Sequence, residues 1–200
     1  MYYENTGTKV SPQFERRIES SNPFPDLSTL CSAAGGTNCG YAAPTFFDVT
    51  NDGLLDVVCG VRSLNGLVYL KNTGTKQMPA FTLVTGAANP FNNVIGNTGS
   101  SVRRFVSPIF SDVNNDGRPD LVYGQEYYKI QVYLNKGTRE SPNFIEWTPA
   151  QGNPFAILRS GRYVSPTLFD IDGDGDLDML VGGYLDLLEY YENNGCFTTT

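Results

Sequence analysis

The strongest constraint on the fold of this chain is an 18-residue segment that occurs three times. APTFFDVTNDGLLDVVCG at 43–60, SPIFSDVNNDGRPDLVYG at 107–124 and SPTLFDIDGDGDLDMLVG at 165–182 align without gaps, and their first aspartates are 64 and 58 residues apart. Recurrence at a nearly fixed period indicates copies of one supersecondary unit, which bury their apolar faces against one another.

Each unit contains four short stretches with β-strand character. The first two flank the aspartates of the 18-residue segment. The third reads LVYLKN at 67–72, VYLN at 132–135 and YYEN at 190–193, and the fourth reads PAFTLV at 79–84 and PNFIEW at 142–147. Gly-containing steps such as Asn-Thr-Gly-Thr separate the stretches and suit tight antiparallel turns. Four antiparallel strands about every 60 residues predict the blade of a β-propeller.

The order of these stretches predicts an all-β fold of about three and a half blades in a single domain, 1–200. The parts are a partial blade at 1–24, blades at 41–91 and 105–155, and a partial blade at 163–200, where the first partial blade has only the third and fourth strands (YYEN and PQFERR). Propellers close with about four to eight blades. We therefore expect either an open arrangement that is a fragment of a longer protein, or one that another chain completes by head-to-tail self-association.

The turns between the first two strands of each unit share the pattern D-x-[TND]-x-D-G-x-x-D, which presents oxygen atoms at alternate positions. The predicted ligands are Asp48, Thr50, Asp52, Leu54 and Asp56 in the first loop, Asp112, Asn114, Asp116, Arg118 and Asp120 in the second, and Asp170, Asp172, Asp174, Asp176 and Asp178 in the third. The glycine at position 6 of each loop (Gly53, Gly117 or Gly175) is expected to allow a sharp turn. The residue at position 7 of each loop (Leu54, Arg118 or Asp176) is expected to contribute its backbone carbonyl.

Calcium is the metal that this donor set predicts, because Ca²⁺ takes six to eight oxygen ligands in flexible geometry. An EF-hand requires Glu at position 12, where these loops have Cys59, Tyr123 and Val181, and their flanks favour strands over helices. We therefore expect about three Ca²⁺ ions. The third loop should bind most tightly because it has the most carboxylates, and the first should bind most weakly because it carries Thr50.

The motif F-x-D-V-x-x-D-G-x-x-D-[LV]-V-x-G, followed by Y-x-N-x-G, resembles the FG-GAP/VCBS repeat family, which includes the calcium-binding blades of integrin α-subunit propellers. The resemblance implies a β-propeller in which structural calcium stiffens the loop between the first two strands of a blade. It also implies roles in adhesion, extracellular matrix or surface contact, and in some members sugar binding or service as an accessory domain of polysaccharide-active enzymes.

Composition argues against several other classes of protein. The chain has no His, which removes His-based triads and His-bound zinc. A net charge of −7 argues against a nucleic-acid partner, and no apolar run is long enough to span a membrane. Cys31 and Cys39 flank a Gly-rich stretch and are expected to form a disulfide in an oxidising compartment, although two free thiols remain an alternative.

We therefore expect a calcium-stabilised, extracellular or cell-surface module with a structural or adhesive role and no enzymatic activity. Its partners would be further copies of itself or another extracellular protein. The alternative is a carbohydrate-binding, lectin-like propeller or an accessory domain of a polysaccharide-active enzyme. Exposed aromatic side chains would stack on glycans in that case, and the candidates are Tyr127, Tyr128, Trp147 and Tyr163.

Overall fold

A computed structural model describes residues 2–18, 21–26, 41–61, 66–94, 105–126, 130–158, 162–184 and 188–195. These residues form strands and short 3-10 helices, the latter at Gly86–Ala88, Pro149–Gln151 and Pro154–Ile157. The prediction of an all-β fold made of antiparallel, blade-like sheets is therefore confirmed.

Four antiparallel sheets follow one another along the chain. The first sheet contains β1 (Tyr2–Asn5) and β2 (Phe14–Arg17). The second contains β3 (Ala43–Phe47), β4 (Asp56–Gly60), β5 (Leu67–Asn72) and β6 (Phe81–Val84). The third contains β7 (Ser107–Ser111), β8 (Asp120–Gly124), β9 (Ile130–Asn135) and β10 (Phe144–Glu146). The fourth contains β11 (Ser165–Phe169), β12 (Asp178–Gly182) and β13 (Leu188–Tyr191).

Consecutive strands pair as neighbours within each sheet, which is the meander that a blade requires. The second strand of the two complete sheets, β4 and β8, is buried over its whole length, because each of these sheets is covered on both faces. Apolar side chains therefore occupy both sides of these strands, instead of alternating with polar residues as they would in a half-exposed sheet.

The apolar core consists of layers between successive sheets. Phe24, which follows the first sheet, packs with Val57 and Leu70 of the second sheet. On its opposite face the second sheet packs Val58 and Tyr69 against the third sheet. A third layer joins the third and fourth sheets; its buried members are Val122, Ile130, Val132, Leu134, Val164, Met179 and Val181. Side chains at alternate strand positions thus face the preceding and the following sheet.

Two glycines determine how closely successive sheets approach. A Cβ atom at Gly60 would lie 1.8 Å from the carbonyl oxygen of Val106, and one at Gly124 would lie 2.0 Å from that of Val164. Val106 and Val164 each immediately precede the first strand of the following sheet. The glycine that ends the second strand therefore provides the space in which the next sheet docks.

The outer face of the fourth sheet is exposed. Leu180 is 39 % accessible, whereas Val58 and Val122, at the same position of the earlier sheets, are both 0 % accessible. Tyr190 is 47 % accessible, whereas its equivalent Tyr69 is buried. This face has the composition of a sheet-to-sheet contact but no covering sheet among the described residues.

A column of aromatic side chains accompanies the stacked sheets and was not evident from the sequence. Tyr41, Phe105 and Tyr163 each lie two residues before the first strand of a sheet, and all have positive φ angles of 63°, 61° and 58°. The ring centroids of Tyr41 and Phe105 are 4.2 Å apart, and those of Phe105 and Tyr163 are 4.3 Å apart. The left-handed backbone, unusual for bulky residues, places each ring against the next.

Several sequence-based expectations concern residues outside the described ranges. Cys31 and Cys39 are among these residues, so the disulfide remains a prediction. Tyr127 and Tyr128 also lie outside the described ranges. Cys59 lies within β4 as a buried free thiol. Within the described ranges, no helix has the length and apolar character needed to cross a membrane.

Candidate calcium-binding loops

Each aspartate-rich loop connects the first two strands of a sheet, from β3 to β4, from β7 to β8 and from β11 to β12. Strands lie on both sides of all three loops, as expected for a blade and unlike the helix pair of an EF-hand. The three loops therefore occupy the same place in three successive sheets.

The first aspartate of each loop organises the backbone of the turn. Asp48 Oδ2 accepts a hydrogen bond from Gly53 N at 2.8 Å, and Asp112 Oδ2 accepts one from Gly117 N at 2.7 Å. Gly53 and Gly117 have φ angles of +84° and +82°, which L-residues with a Cβ rarely adopt. The sharp turn predicted for the glycine at position 6 is therefore present, and the third loop repeats it at Gly175.

The residue at position 4 of each loop also has a left-handed backbone conformation, which the sequence motif did not predict. Asn51 and Asn115 have φ angles of 53° and 56°, and Gly173 has a φ angle of 80°. Asn and Gly are the residues that tolerate this conformation best. Two left-handed residues, two positions apart, curl the loop so that its alternate side chains converge.

The aspartate at position 9 begins the second strand and is buried. Asp56 Oδ1 accepts a hydrogen bond from Asn72 N at 2.8 Å, and Oδ2 accepts one from Val49 N at 3.2 Å. Asp120 accepts the corresponding bonds from Asn135 N at 2.7 Å and Val113 N at 3.1 Å. The position 9 carboxylate therefore ties the loop to the third strand of its sheet.

Burial raises the pKa of the first two position 9 aspartates. For Asp120 the loss of solvent outweighs the hydrogen bonds from two backbone amides, and the pKa rises to about 6, with further raising from Asp116 and Asp112. The pKa of Asp56 is raised for the same reason. In Asp178, the hydrogen bond from the Asn193 amide is the main influence, and it lowers the pKa. A cation beside Asp56 or Asp120 would offset the burial of negative charge.

The first loop already has a cationic side chain among its predicted ligands. Lys71 Nζ, from β5, lies 3.4 Å from Asp52 Oδ2 and donates to Thr50 Oγ1 at 3.3 Å. Burial would raise the pKa of Asp52, but hydrogen bonds from the Leu54 amide, Thr50 and Lys71 outweigh it, and the pKa is lowered. The lysine would therefore compete with any metal ion that entered this loop.

The second loop also has a cationic partner. Arg118 Nη2 lies 2.5 Å from Asp116 Oδ2, and Arg118 Nε donates to the carbonyl oxygen of Asn135 at 2.9 Å. The side-chain Nδ2 of Asn114 donates to the same Asp116 Oδ2 at 2.9 Å. The guanidinium neutralises part of the negative charge that a calcium ion would otherwise neutralise.

The third loop brings its carboxylates together. Asp170, Asp172 and Asp174 each offer one oxygen atom, and these atoms all lie within 4.8 Å of one another. Elsewhere in the described part of the chain, no other set of three His, Cys, Asp or Glu residues converges in this way. The third loop has Asp176 where the second has Arg118, and Glu192 occupies the strand position of Lys71.

The donor chemistry fits calcium. Every side-chain donor at positions 1, 3, 5 and 9 is oxygen, and in the third loop all four are carboxylates. Three carboxylates held close together repel one another unless a cation lies among them. The ligand roles of all fifteen residues, including the carbonyls at position 7, remain predictions. The contact of Lys71 with the first loop could not be predicted from the spacing of the motif, because Lys71 reaches that loop from the third strand of its sheet. Arg118 lies within the motif, but the sequence predicted a role only for its backbone carbonyl.

Two of the four aromatic residues considered for glycan stacking, Tyr163 and Trp147, lie in the described part of the chain, and both pack against other rings. Tyr163 lies between Phe105 and Tyr184, at centroid distances of 4.3 and 5.7 Å. Trp147 packs edge-on to Phe155 and donates its Nε1 hydrogen to the carbonyl oxygen of Gln151 at 3.1 Å. Both side chains are half-buried, so they contribute to the packing of the sheets.

Comparison with known proteins agrees with this geometry. No curated protein matches the chain. The family model of the FG-GAP-like repeat matches residues 112–181, which extend from the first aspartate of the second loop to the penultimate residue of β12. The two aspartate-rich loops in that stretch are those between β7 and β8 and between β11 and β12. The resemblance seen in the sequence is thereby confirmed, and the chain contains an FG-GAP-like repeat at residues 112–181.

Proposed function

We propose that this protein is a calcium-stabilised interaction module with a structural or adhesive role outside the cell. The family match supports a β-propeller-type interaction module. Calcium, the extracellular location and adhesion go beyond that match. The observation that carries the calcium proposal is the convergence of Asp170, Asp172 and Asp174 in the third loop.

Calcium would act here as a brace between sheets. Val49, the second residue of the first loop, is buried in the layer between the second and third sheets. Asn51 of the same loop donates to Glu140 Oε1 of the third sheet's β9–β10 hairpin at 3.1 Å. An ion that fixes the loop therefore also fixes side chains that join neighbouring sheets.

The role that we propose is non-catalytic. In this proposal the acidic clusters serve as metal ligands, and their carboxylates also accept hydrogen bonds from backbone amides. An extracellular setting suits weak calcium sites, because extracellular modules typically have a Kd of about 10⁻⁴–10⁻³ M. The expected partners are further copies of the chain or another extracellular protein.

The test compares the native chain with Asp172→Asn. This change gives the third loop the amide that Asn114 provides in the second loop, so it removes one carboxylate and keeps the size of the side chain. Isothermal titration should show calcium binding to the native chain, with the tightest site weakened about tenfold or more in the variant. Calcium at about 100 times Kd should stabilise the native chain by about 2.7 kcal/mol.

The control is Asn115→Asp, which adds an acid within the second loop at position 4, a position that is not a predicted ligand. It should leave the affinity of the third loop unchanged. Failure of the native chain to bind calcium at millimolar concentration, or identical titrations of Asp172→Asn and the native chain, would refute the metal assignment. Adhesion to cells or matrix that is indifferent to a chelator would refute the link between calcium and the adhesive role.

A further inference from the structure

A cavity of about 690 Å³ lies between the third and fourth sheets. Its apolar lining includes Trp147, Phe155 and Leu158 from the third unit, together with Leu168 and Tyr191 from the fourth sheet. At its rim, Asp112, Asp176 and Glu192 add carboxylates. The cavity extends along the end of β13, where Tyr191, Glu192 and Asn193 line it. A fourth strand beside β13 would direct side chains into this space.

The corresponding spaces between the earlier sheets are filled by phenylalanine. Phe24 and Phe91 each end an Asn-Pro-Phe sequence, and each stacks on a phenylalanine from the fourth strand of the following sheet. Phe24 lies 4.5 Å from Phe81 with rings inclined by 13°, and Phe91 lies 5.2 Å from Phe144 with rings inclined by 15°. Phe155 ends the third Asn-Pro-Phe sequence and faces the cavity. The cavity therefore lies where the earlier sheets hold a phenylalanine from their fourth strand.

The edge of β13 also has features that a fourth strand would complete. In the hairpins that join the third and fourth strands, an Asn side chain accepts two amides: Asn5 Oδ1 accepts from Gly7 and Gln13, and Asn135 Oδ1 from Gly137 and Asn143. Asn193 Oδ1 accepts from Gly195 N at 3.2 Å, and no described residue takes the second place. Likewise, no described strand pairs with the outer edge of β13.

We propose that this cavity and the edge of β13 form a docking site for β2 of a second copy of the chain. Strand β2 would pair antiparallel with β13 and insert Phe14 into the cavity against Phe155. The fourth sheet would then have four strands, as the second and third sheets do. This inference rests on the proposed interaction role, but it is independent of calcium.

The choice of β2 follows from an identity within the chain. Residues Tyr2–Asn5, which form β1, read YYEN, and residues 190–193, which include the end of β13, read YYEN as well. Strand β2 pairs in register with the first of these, from Tyr2 opposite Arg17 to Asn5 opposite Phe14. Paired with residues 190–193 in the same register, β2 would lie opposite the same four residue types, YYEN, that it now faces in β1.

Exchange of β2 between copies would be favourable for β2. At present it belongs to a two-stranded sheet, an arrangement of marginal stability, and Phe14 is 68 % accessible. The equivalent residue of the third sheet, Phe144, is buried. Arg17 pairs with Glu4 Oε2 at 2.6 Å, and Glu192, the residue after β13, is the equivalent of Glu4 in the second YYEN sequence.

Docking of β2 would also cover the exposed outer face of the fourth sheet. Tyr2 now contacts Phe24 with a centroid distance of 5.4 Å, and Tyr190 would take the place of Tyr2 against Phe24 of the arriving copy. The second sheet of that copy would follow, and the carbonyl of its Ala42 would approach Gly182 as Val164 approaches Gly124. Because the surfaces on the two copies differ, the contact is head-to-tail and propagates into rings or fibres.

A peptide of residues 10–18 (VSPQFERRI), labelled with a fluorophore, tests the site directly by anisotropy against the intact chain. We expect saturable binding, and binding at least about tenfold weaker for the same peptide with Phe14→Ala, because the phenyl ring supplies the buried apolar area. The proposal would be overturned if the peptide did not bind at millimolar concentrations of the intact chain, or if the two peptides bound equally well. A peptide from β6, residues 77–84, that bound as tightly as the β2 peptide would overturn the choice of β2.

Sedimentation of the intact chain provides the second test. The native chain should associate as its concentration rises, whereas Phe14→Ala and Gly182→Ala should each weaken association at least about tenfold while leaving the secondary structure intact. Association unchanged by both variants would overturn the proposal. Isothermal titration of the same chain with calcium separates the two proposals, because a chain that binds the peptide but takes up no calcium would refute only the metal assignment.

Discussion

The glycine at the end of the second strand gives the sharpest test of how the sheets are packed. In Gly124→Ala, the new Cβ would lie 2.0 Å from the carbonyl oxygen of Val164. Ordinary contact begins at 3.4 Å, so β8 and the residue before β11 would have to separate by about 1.4 Å. Since both atoms are fixed to the backbone, no change of rotamer relieves the overlap.

Overpacking of this kind costs about 1–3 kcal/mol, and a contact between backbone-fixed atoms belongs at the upper end of that range. Replacing Gly by Ala also restricts the unfolded chain, which returns about 0.4–1 kcal/mol. We therefore expect Gly124→Ala to lower the free energy of unfolding by about 2 kcal/mol. In a chain of this length, that corresponds to a fall in Tm of roughly 4–8 °C.

Gly182→Ala is the matched control, because Gly182 ends β12 as Gly124 ends β8. The nearest atom to a Cβ at Gly182 is the carbonyl oxygen of Ser165, at 3.9 Å. Neither glycine has a left-handed φ angle, so the two substitutions differ only in the space available. At low protein concentration, Gly182→Ala should leave Tm unchanged or raise it slightly.

Thermal denaturation by circular dichroism and equilibrium unfolding in urea would measure both variants at a dilution where the chain does not associate. Equal stability changes for Gly124→Ala and Gly182→Ala would refute the argument, because they would show that the close approach of Val164 does not determine the response. A neutral Gly124→Ala would refute it as well.

Three further predictions concern single side chains. Lys71→Gln should strengthen calcium binding by the first loop up to about fivefold in isothermal titration, because it removes the ammonium beside Asp52; unchanged affinity would contradict the competition. Arg162→Ala should cost about 1–3 kcal/mol in urea unfolding, because Glu126, only 3 % accessible, loses its ion pair, whereas the exposed Arg139→Ala should cost almost nothing. Cys59 should resist iodoacetamide at pH 8 until the chain is unfolded, because burial raises the pKa of its thiol to about 11; rapid alkylation of native protein would contradict its burial.

The sequence alone was sufficient to predict the strands and the turns. The threefold segment predicted the unit, and Gly53, Gly117 and Gly175 predicted the sharp bend in each loop, because these features depend on residues that are close together in the chain. The stretch at 67–72 was likewise placed correctly as a third strand, β5. Local backbone preference and the spacing of polar residues determine such features whatever surrounds them.

Contacts between units required the tertiary structure. The contact of Lys71 with the first loop depends on β5 lying beside that loop. The aromatic column depends on Phe105, before the third sheet, contacting Tyr163, before the fourth. The cavity at Phe155 depends on which faces of which strands are covered. A repeat in the sequence therefore determined what one blade is, whereas only the stacked sheets decided how blades meet and where one is left uncovered. The physical reason is that side-chain burial and charge pairing act between residues that are distant in the chain.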